Sequence, residues 1–77
     1  MVTFQPVTLH NDHGEDEGVL AFAEDRLVAV LTHLDKWHGD LEGHWFVEAR
    51  FGSRGDHLQI SFETLSEAET ILTALYR

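Results

Sequence analysis

The chain has no cysteine, a single proline and only five lysines and arginines. Without cysteine there can be no disulfide, no thiolate metal site and no cysteine nucleophile, which suits a reducing cytoplasm. Fourteen aspartates and glutamates stand against the five basic residues, for a formal charge of −9. A charge of that sign repels phosphate backbones and anionic membrane surfaces, so neither nucleic acid nor membrane is an expected partner. Arg50 and Arg54 are the one close pair of basic residues, with no aromatic cluster around them. No window approaches the roughly 20 apolar residues of a membrane span, and the first residues, MVTFQPVTLH, lack the charged and apolar regions of a secretion signal. The expected location is therefore the cytoplasm.

What is present describes one small folded unit. Seventy-seven residues, 43% of them hydrophobic and 25% charged, make a single domain over 1–77 that is foldable but near the size at which burial only just offsets chain entropy. A partner or a second copy therefore bears on its stability.

Residues 2–9, VTFQPVTL, read as a short edge strand, because Pro6 has no N–H to donate to a second neighbour. His10 to Gly18, HNDHGEDEG, carries Asp12, Glu15, Asp16 and Glu17 and no apolar side chain, and reads as a solvated loop. The next stretch is ambiguous. Glu24-Asp25-Arg26 can be a hairpin turn between strands at about 18–23 and 27–34, or a second helix can run from about 24 to 37. The β-branched, continuously apolar runs favour the hairpin, although its turn has no glycine.

Lys36 to Gly43 reads as a connecting loop. From His44 to Phe51 the alternation puts Trp45, Val47, Ala49 and Phe51 on one side and His44, Phe46, Glu48 and Arg50 on the other. Residues 58–63 repeat the pattern with Leu58, Ile60 and Phe62. Between these strands lies GSRGDH, in which Arg54-Gly55-Asp56 looks like the recognition tripeptide of adhesion proteins. Two glycines between alternating runs make it, more economically, a hairpin turn. Near the C-terminus, Ser66 and Glu69 have the spacing of a capping box. Ala68, Ile71, Leu72 and Leu75 then form an apolar stripe, with Glu67, Thr70 and Thr73 toward water.

The fold expected is α+β: a small antiparallel sheet of four or five strands in meander order, one C-terminal helix packed on one face, with β-α-β-β-α as the alternative. Motifs for catalysis are missing: there is no nucleophile elbow, no phosphate-cradling glycine loop and no His-Glu-x-x-His helix. No cofactor is expected, and the chain reads as non-enzymatic.

His10, Asp12 and His13 combine imidazole and carboxylate ligands that could hold a metal ion, but not at the spacing of a known motif. A small-molecule site or small enzyme would need a cleft gathering His33, His44 or His57 with a carboxylate; His38 completes the six histidines. The leading reading is a small acidic binding or accessory module that contacts another protein or itself. Its contact would be made by Phe46, on the sheet face away from the helix, and by an aromatic edge at Trp37 and Trp45, and a homodimer through that sheet face is one form of it.

Overall fold

A computed structural model describes residues 1–11, 14–34, 39, 40, 42–52 and 60–76. It contains β1 (Val2–Asn11), β2 (Gly14–Ala23), β3 (Arg26–His33), β4 (Trp45–Arg50), β5 (Ser61–Phe62) and α1 (Leu65–Leu75). The five strands lie side by side in chain order, and every neighbouring pair is antiparallel. The expected meander and C-terminal helix are both there.

The hairpin is the correct reading of the ambiguous stretch. Ala23 pairs with Arg26 across a two-residue turn, and Glu24 supplies the left-handed conformation at φ 59° that glycine more often provides. A helix over 24–37 is incompatible with residues 26–33 pairing on both sides.

The acidic stretch corrects the sequence reading. His10 pairs with Glu15 and Asn11 with Gly14, so residues 14–17 are strand, not loop. The cause is positional. Pairing of β2 with β3 begins at Gly18 with Thr32, so, among the described residues, 14–17 have a ladder partner in β1 alone. With one strand neighbour instead of two, this part of the strand has room for acidic side chains, Glu17 exposed and Asp16 half-buried. The edge strand itself, β1, is ten residues long rather than short, and Pro6 sits where only one neighbour needs hydrogen bonds.

Two bulges interrupt the ladders. Val28 is the extra residue between the Ala21–Ala29 and Phe22–Leu27 pairs. Glu48 is the extra residue between Val30–Ala49 and Leu31–Val47. The second bulge shifts the phase of β4. Ala49 thereby joins Val30, and Phe51, expected beside Trp45 and Val47, is 47% exposed. Among the described residues the last strand covers only Ser61 and Phe62; Ile60 is 69% exposed and its carbonyl accepts from Val47 N–H at 2.8 Å. Leu58 and the tripeptide Arg54-Gly55-Asp56 lie outside the described residues.

The helix starts two residues earlier than its sequence signal suggests. Thr64, extended at φ −140°, is the N-cap, and its hydroxyl accepts from Glu67 N–H at 3.0 Å. Glu67 returns the contact by accepting from Glu63 N–H at 2.8 Å. Ser66 and Glu69 lie within the helix, and Glu67 is half-buried rather than turned to water.

The apolar stripe is as expected. Ala68 and Leu72 are fully buried against Phe62, Leu31 and Val19, with Ile71 and Leu75 at the margin. The helix packs on β5 at one edge and β1 at the other, so it spans the sheet. Thr73 helps fix it there, accepting from Val2 N–H at 3.1 Å, and Tyr76 donates to the Phe51 carbonyl at 3.1 Å.

Candidate functional site

Among the described residues, a helix covers one face of the sheet and no helix or strand covers the other. Cross-strand partners share a face, so the register assigns Val19, Leu31, Trp45 and Phe62 to the helix side. Val7, Leu9, Leu20, Phe22, Val30 and Phe46 fall on the reverse side, all half-buried. Phe46 lies on the side that the alternation of its strand puts it on. The structure groups it with Leu20, Phe22 and Val30, while Val28 is the buried bulge residue.

At the centre of this face sits Thr32, paired with Gly18 on one side and Phe46 on the other. It is 3% exposed, the one buried polar residue among those described, and its Oγ1 has no hydrogen-bond partner. Gly18 makes the local packing possible. A Cβ there would stand 2.6 Å from Leu9 Cδ1 and 2.8 Å from the Leu31 carbonyl oxygen. With only a hydrogen at that position, Leu9 lies down on the backbone next to Thr32. A cleft of about 190 Å³ opens here, lined by Leu9, His10, Asp16, Val30, Thr32 and Glu48. The β4 bulge delivers Glu48 to its wall.

Trp45 and Phe46 are neighbours in sequence but point to opposite faces. Trp45 is 7% exposed and belongs to the core on the helix side, so it does not extend the Phe46 surface. Its ring stacks on that of His33, centroids 4.3 Å apart and planes within 4°. His33 Nδ1 stands 3.6 Å from Glu17 Oε2, a solvent-exposed pair too long for a hydrogen bond. Trp37 lies outside the described residues.

Of the metal candidates, His10 lines the cleft, and Asp12 and His13 lie outside the described residues. Among the described residues no group of three or more His, Asp or Glu is arranged to hold a metal ion. His38 and His57 are also outside. Neither the Thr32 cleft nor a second, open groove beside Glu24, Asp25, Arg26 and Tyr76 is lined by His33 or His44. No helix among the described residues is long and apolar enough to cross a membrane.

Sequence reasoning put Phe46 on this face of the sheet but did not single out Thr32, Gly18 or Glu48. Gly18 closes a stretch that reads in sequence as a solvated loop, and the bulge that places Glu48 has no sequence signature here. Comparison with known families, with curated proteins and with solved structures gives no match.

Proposed function

We propose that the chain is a small acidic protein-binding module of the cytoplasm whose contact surface is the face of the sheet that the helix leaves uncovered. The observation that carries this reading is the asymmetry of cover. Ala68 and Leu72 belong to one buried cluster with Val19, Leu31, Trp45 and Phe62 on one face, while Leu20, Phe22, Val30 and Phe46 are only half-buried on the other. Apolar side chains gathered on one exposed face favour association over solvation. The role proposed is accessory: the cleft on this face, about 190 Å³, is smaller than the ~300–1,000 Å³ of ordinary small-molecule sites, whereas the open groove beside Glu24 and Tyr76, about 560 Å³, lies away from this face.

Self-association is one form this could take, but charge weighs against it. Two copies would each bring a formal charge of −9 to the contact, and Glu48 and Asp16 stand beside the apolar centre where the copies would meet. A different protein is the favoured partner.

A photo-crosslinking residue placed at position 46 tests this in cells, with position 69 on the exposed side of the helix as the comparison. The reading predicts discrete protein adducts from position 46 that Val30→Glu abolishes, and none from position 69. Equal adducts from both positions, or none from 46, would contradict it, and an adduct of twice the chain's mass would identify a second copy as the occupant.

A further inference from the structure

We propose that the Thr32 cleft receives a lysine or arginine side chain from an amphipathic segment of the partner protein, an inference that rests on the binding face proposed above. Three observations converge on that chemistry. The cleft is lined by two acidic residues, Asp16 and Glu48, together with the apolar Leu9 and Val30. A long basic side chain has the matching construction, an aliphatic stem ending in a charged head.

The second observation is independent of charge. Thr32 Oγ1 is enclosed and without a partner, whereas buried polar groups are nearly always hydrogen-bonded. A hydroxyl can donate and accept, and its oxygen has lone pairs to accept from an ammonium or guanidinium, which brings only donors. The entering side chain pushes aside the flexible end of Leu9 and supplies the hydrogen bond that Thr32 lacks. Glu48 and Asp16 then meet the positive charge at the rim.

Size and overall charge complete the argument. The cleft admits one side chain, not a drug-sized ligand. The remaining apolar face, Leu20, Phe22 and Phe46, extends beside it and accepts the apolar positions of the same segment. A net charge of −9 attracts a basic segment from a distance and speeds its encounter.

The test is a titration of the full chain, followed by residue-resolved NMR shifts, with three peptides of one leucine pattern: polar positions all lysine, all glutamine or all glutamate. Spermidine serves as a free amine. The lysine peptide is expected to shift Leu9, Val30, Thr32 and Phe46. Thr32→Val should weaken it about tenfold, the cost of one charge-assisted hydrogen bond, without loss of folded signal, and Glu48→Gln should weaken it further.

Glutamine and lysine peptides binding this face equally would overturn the basic-side-chain inference and leave the binding face standing. No peptide shifting this face would overturn both. Spermidine binding as tightly as the lysine peptide, with the same Thr32 dependence, would make the ligand a free amine and overturn the partner-protein assignment. Lysine-peptide shifts elsewhere, or unaffected by Thr32→Val, would remove the role given to this cleft.

Discussion

Leu9 lies directly on Gly18, close enough that a methyl group on Gly18 would come within 2.6 Å of Leu9 Cδ1. This contact shapes the uncovered face of the sheet, because it lays an apolar side chain flat beside Thr32 where a β-carbon would hold it off.

Gly18→Ala should therefore be destabilising. Leu9 can rotate away, but the Leu31 carbonyl at 2.8 Å is backbone in a central strand and cannot. Overpacking of this kind costs about 1–3 kcal/mol. Urea unfolding measures it, and adding Leu9→Ala should restore only part of the loss, since the carbonyl clash remains.

Thr32→Val should raise stability. The hydroxyl is buried without a partner, and leaving such a group unpaired costs about 1–3 kcal/mol. Valine keeps the branched shape and removes the group. An increase in the urea midpoint at unchanged slope would confirm it. A stable variant that binds less well is the trade expected of a site residue.

The helix start separates two neighbouring hydroxyls. Thr64→Ala removes the acceptor for Glu67 N–H and should cost about 0.5–2 kcal/mol. Ser66→Ala, inside the first turn, should be neutral or slightly favourable, since alanine is the better helix former. Thermal melts of the two variants distinguish the cap.

The turn at Glu24 holds strain that glycine would relieve. A left-handed conformation costs a non-glycine residue about 1–2 kcal/mol, against about 0.5–1 kcal/mol for glycine's extra freedom when unfolded. Glu24→Gly should thus stabilise by the difference, roughly 0.5–1 kcal/mol. The melting temperature should rise accordingly.

How far the fold could be read from the chain depended on whether the cause was local. The apolar stripe of Ala68, Ile71, Leu72 and Leu75 is a period that any helix displays, and the alternation of Trp45 to Val47 is that of any half-covered strand. Both were legible. The cap was read two residues late because Ser66–Glu69 and Thr64–Glu67 share the same spacing, and packing rather than propensity selects between them. The acidic strand at 14–17 was read as loop because its pattern reflects having one neighbour instead of two, a fact of topology. Bulges fall in the same category: Glu48 enters the cleft only because β4 and β3 are out of step there. Phe46 stood out as an aromatic on the wrong side of an amphipathic strand, whereas Thr32 is an ordinary residue until its neighbours are known.

The central claim is that the isolated chain leaves one side of its sheet open to water. Paramagnetic relaxation by an inert, neutral gadolinium chelate, read at each methyl group, tests it directly. The account predicts strong broadening at Val7, Leu20 and Val30 and none at Ala68 or Leu72. Equal protection of both sets at low protein concentration would mean that the face is already sheltered within one polypeptide, and would contradict the account.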